Sequence, residues 1–191
     1  MNFYSTIELK KLGFSKVGKN VEISKNVNFY NFSGVIGSNC RIDDYSILIG
    51  KIKIHNYVHI AAYNLISASK NKNKIEIMDF SGIGPHSYIS CSTENYLSND
   101  ISNPTIKKNL RKNIISSNIQ IGKNVLVGAG SYIISKKKNV NILIGNNVSI
   151  GTKSIVRQSI KSNYLVYNKG IQKLEMLKIK KNLNFSKLKK I

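Results

Sequence analysis

The stretch that decides the fold is IKIHNYVHIAAYNLI, residues 52–66. Ile54, Ile60 and Ile66 stand six residues apart, and the same step backwards meets Leu48, Ile42 and Ile36. An α-helix repeats its apolar face every 3.6 residues and a strand every two, so neither gives a strict six over such a length. The ladder also holds His55 and His59, and the chain has three histidines in all.

The step recurs along the chain. Val17, Ile23 and Phe29 precede it, and Ile77, Ile83 and Ile89 follow. Then come Ile115, Ile121, Val127 and Ile133, and finally Ile144, Ile150 and Val156. Short slips or insertions fall near 30, 70 and 138, and a longer one spans 90–114. The texture repeats as well, in VGKNVEI (17–23), IGSNCRI (36–42), IGKNVLVGAG (121–130) and IGNNVSIGTKSIV (144–156). A hexapeptide period is the signature of a parallel β-helix. Six residues hold a short strand and a corner, and three such units close one triangular coil. Each face points one branched aliphatic inward, onto its equivalent in the next coil. Gly and Asn suit the corners because they accept positive φ. No coil buries its own face, so stability is shared between neighbours.

The ends read differently. In STIEL, Ser5 is placed as an N-cap with Glu8 as its capping-box partner, and Gly13 stops the helix. Residues 171–189 space Ile171, Leu174 and Leu177 helically among lysines, which predicts a basic C-terminal helix. That helix either packs on its own domain or lies on an acidic membrane surface. The expected units are an N-terminal helix (1–14), a β-helix (15–168) and the basic helix (169–191).

Composition bounds the function. No apolar run approaches the about 18 residues of a membrane span, and the start lacks the layout of a signal peptide. A cytoplasmic protein is expected, membrane-peripheral if the basic helix touches lipid. Two cysteines, Cys40 and Cys91, make no disulfide framework and read as buried thiols. The formal net charge is +21. Such a charge attracts polyanions, but the lysines are spread along a chain rich in Lys, Asn and Ile. There is no Trp, and aromatic residues do not interleave with basic ones, so nucleic acid is not the expected partner. A small polyphosphate ligand or an acidic membrane suits the charge better.

The repeated [IV]-G-x-N-[VC]-x-[IV] runs, from about 15 to 168, resemble the hexapeptide acyltransferase superfamily. That resemblance implies a left-handed coil and a homotrimer; the general rule for parallel crossovers would give the right-handed sense. RIDDYSIL (41–48), VHIAAY (58–63), NPT (103–105) and the first 24 residues are similar to one branch of it. This branch holds sugar acetyltransferases of bacterial surface-polysaccharide clusters, including those acting on nucleotide-linked 4-amino-4,6-dideoxy sugars. The resemblance implies acetyl-coenzyme A as donor, no metal, and a sugar amine or hydroxyl as acceptor.

Acyl transfer from a thioester needs a base for the acceptor, a donor for the oxyanion, and cations for the coenzyme's phosphates. From spacing, His55, His59 and His86 stand equally as bases. The HIAAY context singles out His59. The same resemblance suggests Asp44, Tyr63, Asp79, Glu94 and Tyr96 on the acceptor side or orienting the histidine. Asp is equally at home bonding a corner. In galactoside acetyltransferases of the superfamily the catalytic histidine lies in the insertion; here CSTENYLSND (91–100) holds none. That departure leaves the base at His59, or gives Glu94 a share, or reflects an amine needing little help. The insertion resembles the family's loop that reaches a neighbouring subunit. VGAGSYI (Gly128, Ala129, Gly130, Ser131) and IGTKSIV (Gly151, Lys153, Ser154) are similar to the coil edge that carries the pantetheine arm, although corner geometry alone also asks for glycine. Lys123, the run Lys136, Lys137 and Lys138, Lys153 and Arg157 are set for the phosphates. The family's Gly-x-Pro-Ala segment has lost its Pro near YNKGIQK (167–173).

Three rival readings stay open. One is transfer to a small non-sugar acceptor such as an antibiotic. Another is a β-helix scaffold without activity. The third is a zinc enzyme like carbonic anhydrase, which would need its three histidines to converge.

Overall fold

The computed structural model describes residues 2–69, 72–95, 103, 105–107 and 114–168, and the backbone of 169 and 173–178. The strands form three parallel faces of one coil. Face A stacks Phe14–Val17, the second part of Asn28–Ile36, the second part of Ile47–Ile54, Lys74–Ile77, Ile119–Ile121 and Ile142–Ile144. Face B stacks Val21–Ile23, Cys40–Ile42, His59–Ile60, Gly82–Ile83, Leu126–Val127, Ser149–Ile150 and Tyr164–Lys169. Face C stacks the first parts of Asn28–Ile36 and Ile47–Ile54, then Leu65–Ser67, Tyr88–Ser90, Tyr132–Ile134 and Ile155–Val156. The chain passes A, B, C and returns to A one coil further on.

The hexapeptide ladder is the core. On face B, Ile23, Ile42, Ile60, Ile83, Val127, Ile150 and Val166 lie in register, each almost fully buried. Face C contributes Leu48, Ile66, Ile89, Ile133 and Val156, and face A contributes Ile36, Ile54, Ile77, Ile121 and Ile144. Each such side chain stabilises the fold by about 1.5–3 kcal/mol. Face A also holds a second inward row, Ile52, Ile75, Ile119 and Ile142, two residues upstream. Its strands are longer than one hexapeptide requires. Ile115, the first rung expected beyond the insertion, instead pairs outside the coil: Ser92–Thr93 and Ile115–Ser116 run antiparallel and close the base of the insertion at the C–A corner.

The corners explain the texture. The third residue after each inward aliphatic has positive φ at the A–B corner: Asn20, Asn39, Tyr57, Phe80, Asn124, Asn147 and Asn163. Asn pays the least for this conformation among residues with a side chain. Its amides also bond from coil to coil, as in Asn20 to Asn39 at 3.0 Å and Asn147 to Asn163 at 2.9 Å. Inside the B–C corner, buried polar groups stitch coils together. Ser87 N–H donates to Asn64 Oδ1 at 2.9 Å, and Ser131 Oγ donates to Gly151 O at 2.9 Å.

The N-terminal helix, Thr6–Lys11, has the expected capping box, and Gly13 follows its end at φ 112°. Leu9 and Phe14 are buried with the coil, so this helix caps the same core. Both cysteines are buried thiols, and burial pushes Cys91 up to about 12. The C-terminal expectation is corrected at 173–178, where Lys173–Lys178 is a strand antiparallel to Tyr164–Lys169. The last strand of face B leaves an edge of unpaired backbone groups, and the returning chain pairs with it in place of making its own helical bonds. The rest of the expected helix lies outside the described residues, and so does the membrane contact proposed for it. Among the described residues no helix is long and apolar enough to cross a membrane.

Candidate active site

His59 stands on the outer side of face B, between Arg41 and Gly82 in the neighbouring coils. Its inward neighbour Ile60 is locked in the core, so the imidazole projects from a rigid wall. His59 Nε2 lies 2.8 Å from Asp43 Oδ2, and Arg41 Nε donates to Asp43 Oδ1 at 2.6 Å. Burial pushes the Asp43 carboxyl up, but the hydrogen bonds from His59 and Arg41 more than offset it and hold Asp43 below the usual carboxylate range. An ionised carboxylate only accepts, so Nε2 carries a proton, and in the neutral ring Nδ1 is then the nitrogen with the lone pair. The side chain of His59 is 52 % exposed and that of Asp43 is 14 % exposed. The pair borders a shallow concavity of about 480 Å³ shared with Asn39, Arg41, Tyr57 and Val58. It is an imidazole held by a carboxylate, with half of its side chain open to solvent.

Asp43 was not singled out from the sequence; its neighbour Asp44 was. The repeat contained the signal. Ile42 and Ile60 are inward partners in adjacent coils, so the residue just after one and the residue just before the other share an outer face. Asp44 turns to the corner instead, accepting from Ser24 Oγ and, at 3.4 Å, from Asn26 Nδ2. Asp79 sits at the A–B corner, accepting from Asn56 N–H at 3.0 Å and pairing with Lys123 at 3.4 Å. Burial raises its carboxyl, but the Asn56 bonds and the Lys123 ammonium leave it below its ordinary value. Both aspartates bond corners, and neither reaches His59. Tyr63 is exposed at the B–C corner, stacked between Tyr45 and His86. Glu94 follows the short strand Ser92–Thr93 at the C–A corner, away from His59 within one chain. Tyr96 lies outside the described residues.

The three histidines do not converge. His55 Nε2 bonds Glu76 at 2.8 Å on face A, His59 bonds Asp43 on face B, and His86 stacks on Tyr63. Among the described residues no group of three or more His, Cys, Asp or Glu is arranged to hold a metal ion. Glu76 also meets Lys53 at 3.0 Å and Lys74 at 3.3 Å. Burial raises its carboxyl, but these partners pull it down to about 2 from 4.5. A depressed carboxylate stabilises the fold above its unfolded value and loses that contribution as pH falls through its folded value. Glu76→Gln should therefore lower stability at pH 7 by about 1 kcal/mol. It should also flatten the decline in stability between about pH 4.5 and 2, as read by urea unfolding across pH.

The donor-side residues separate in space. Gly128 and Gly151 are tightly stacked against the next coil: a methyl group on Gly128 would come within 2.5 Å of Thr152 N, and one on Gly151 within 3.0 Å of Tyr167 Cβ. Gly130 has φ 67°. Close packing between coils thus accounts for Gly128 and Gly151, whatever else they do. Ser131 and Ser154 are fully buried with their side chains inside the corner, so neither hydroxyl is presented to a ligand. The cations expected to gather on the coenzyme stand at three different corners. Lys123 is at A–B in its ion pair with Asp79. Lys153 is at B–C beside Ala129 and Gly130, its N–H donating to Ala129 O at 2.8 Å. Arg157 is at C–A, lining a cavity of about 250 Å³ with Lys136 and Lys137. The three therefore do not form one cluster on a single chain.

A parallel β-helix of hexapeptides is the fold expected of a coenzyme A-dependent acyltransferase. Comparison with known proteins gives the same class. The chain is 36 % identical over 162 residues to the dTDP-4-amino-4,6-dideoxy-D-glucose acyltransferase of Escherichia coli, covering 83 % of this chain and 80 % of that one. It superposes on a single-residue mutant of AntD, an N-acyltransferase from Bacillus cereus, crystallised with dTDP and coenzyme A, with a TM-score of 0.84 and 36 % identity. That match covers 99 % of this chain and 96 % of that one. AntD has also been crystallised with dTDP and 3-hydroxybutyryl-CoA; that structure matches with a TM-score of 0.82 and 35 % identity, over 99 % of this chain and 94 % of that one. The acetyltransferase domain of PglB from Neisseria gonorrhoeae, at 15 % identity and a TM-score of 0.53 over 78 % of this chain and 54 % of that one, shares the fold alone. No family model matches the chain. The chain belongs to the hexapeptide-repeat family of nucleotide-sugar acyltransferases, and its coil is the left-handed β-helix of that family.

Proposed function

We propose that the protein transfers an acetyl group from acetyl-coenzyme A to the amine of a dTDP-linked 4-amino-4,6-dideoxy sugar. The observation that carries the reading is the His59–Asp43 pair on the outside of face B, with the imidazole half exposed. The relatives that act on dTDP-amino sugars favour the amine over a hydroxyl. In this mechanism the unprotonated sugar amine attacks, and His59 Nδ1 takes the proton that its nitrogen sheds as the new bond forms. The nitrogen lone pair forms a bond to the thioester carbonyl carbon, and the tetrahedral intermediate collapses with cleavage of the C–S bond. The proton leaves through His59 to the departing thiolate, giving an amide and free coenzyme A. Asp43 fixes the imidazole's tautomer and stabilises its charged form.

The remaining roles follow the same reading. Gly128 and Ala129, with Gly151, line the pantetheine arm through backbone, Gly130 leaves the corner beside them open, and Lys153 faces a phosphate; Arg157 and Lys123 serve a copy bound on another edge. Glu94, Tyr96 and the insertion 90–114 complete the acceptor site of a neighbouring subunit, because Glu94 is remote from His59 within its own chain. The assembly is a homotrimer. Its support is the outer side of face C, where Ile47, Leu65, Tyr88, Tyr132 and Ile155 form one apolar row in register. Faces A and B offer no such row among the described residues. The reaction belongs to the cytoplasm, where activated sugars for surface polysaccharides are made.

The test is a thermal-shift screen with light scattering. Acetyl-coenzyme A and dTDP-4-amino-4,6-dideoxy-D-glucose should each raise the melting temperature, since binding to the folded state stabilises by mass action. The particle mass should be three times 21.4 kDa. A monomer at micromolar concentration removes the shared site; no shift with either ligand leaves a β-helix scaffold, and a shift with non-sugar amines alone leaves a different acceptor.

A further inference from the structure

The B–C corner carries a column of rings with one ring missing. Each coil after the first places one positive-φ residue there, and these are Tyr45 (59°), Tyr63 (61°), His86 (57°), Gly130 (67°) and Lys153 (54°). Backbone bonds align them. Tyr63 N–H donates to Asp44 O at 3.0 Å, His86 N–H to Ala62 O at 3.2 Å, Gly130 N–H to Pro85 O at 2.9 Å and Lys153 N–H to Ala129 O at 2.8 Å. Tyr45 stacks on Tyr63 at 5.1 Å between centroids, and Tyr63 on His86 at 4.9 Å with planes 2° apart. These separations match the rise of one coil, about 4.8 Å. The next rung is Gly130, which brings no side chain. A methyl group there would meet, among the described residues, the Cγ of Lys153 alone, at 3.5 Å.

From His86 to Lys153 is two coils, about 9–10 Å. That interval holds one further ring at the spacing of the column, with the face of His86 on one side and the lysine stem on the other. The column keeps bulky rings in a backbone conformation that disfavours them. Tyr45 and Tyr63 are 53 % and 52 % exposed, so burial does not explain their presence.

We infer that the gap at Gly130 is a slot for the nucleobase of a nucleotide, stacked on His86 with Lys153 beside it for a phosphate. This rests on the proposed acyltransferase reading and deepens it, because both ligands of that reading carry a base and phosphates. Stacking on an aromatic face tolerates any base, so the geometry alone admits the base of the sugar nucleotide or the adenine of the coenzyme. The slot also gives His86 a role apart from proton transfer, as the floor of a binding site.

Three variants test it. His86→Ala removes the floor, and His86→Phe keeps it. Gly130→Asn fills the slot with a residue that tolerates positive φ, as Asn124 and Asn147 do in the same coils. Dissociation constants are measured by calorimetry for dTDP and for coenzyme A, with inorganic pyrophosphate and 4′-phosphopantetheine as the probes lacking a base. The expected result is a loss of about tenfold in affinity for one of the two nucleotides in His86→Ala and Gly130→Asn, restored in His86→Phe. The matching baseless probe should bind all four proteins alike. Loss for dTDP assigns the slot to the sugar nucleotide, and loss for coenzyme A assigns it to adenine. If the wild type binds both nucleotides and His86→Ala and Gly130→Asn equal it, the slot is overturned while the function stands. A wild type that binds neither overturns the function and the slot together. If the variants dissociate the trimer with nucleotide affinity unchanged, the gap is a contact between copies and the slot is overturned.

Discussion

His59→Asn should lower the turnover number by about 10²–10⁴ while fold and assembly stay intact. That loss corresponds to about 3–5 kcal/mol of barrier. Asn retains some size and hydrogen bonding, so the change removes the base with little disturbance of the wall. His59 is half exposed and its neighbour Ile60 carries the packing, which is why stability should hardly move. A sugar amine, part of which is already unprotonated, should lose less than a hydroxyl acceptor would, and the variant's rate should climb with pH as the free amine fraction rises. Asp43→Asn should cost less than His59→Asn, because it frees the imidazole's orientation without removing it. If His59→Asn keeps more than about half of wild-type turnover while His86→Asn or Glu94→Gln abolishes it, the base lies elsewhere.

Ile60→Ala should destabilise the protein by about 2–5 kcal/mol, among the larger costs a single truncation exacts. Ile60 is fully buried and lies in register between Ile42 and Ile83. A cavity there cannot be filled from above or below without shifting a neighbouring coil, and each coil is held by those next to it. For a chain of this length the melting temperature should fall by about 5–20 °C. Leu126 points outward on the same face and is 54 % exposed, so Leu126→Ala should stay within about 0.5 kcal/mol of wild type. Equal costs at the two positions, by thermal or urea unfolding, would contradict the inward and outward assignment of face B.

The ladder was legible because one rule is repeated: a branched aliphatic every sixth residue, each with one place to go. The slips near 30, 70 and 138 and the insertion at 90–114 all fall at a return to face A, where extra length is accommodated outside the coil. Face A's second inward row was not read. Ile52, Ile75, Ile119 and Ile142 alternate with outward residues over a longer strand, and a search for period six passes over them. The C-terminal strand was missed for a different reason. Leu174 and Leu177 fit a helical stripe locally, and only the open edge at Tyr164–Lys169, a tertiary feature, recruits the segment as a strand. At the candidate site, motif resemblance pointed to His59 but not to the aspartate bonded to it. Asp43 and Asp44 are adjacent in sequence and diverge by a corner in space, one to the imidazole and the other to Ser24. The spread of Lys123, Lys153 and Arg157 over three corners shows the same limit, since closeness in sequence says little about which edge of a prism a side chain occupies.

The central claim is that this wall with its histidine acylates a sugar amine. The most direct measurement is the initial rate of thiol release from acetyl-coenzyme A with dTDP-4-amino-4,6-dideoxy-D-glucose as acceptor, with mass spectrometry of the sugar product. The account predicts saturable thiol release, one thiol for each amide formed, and a rate that falls by at least about a hundredfold in His59→Asn. Thiol release no faster than the protein-free control, or acetyl found on a hydroxyl with the amine left free, would contradict it.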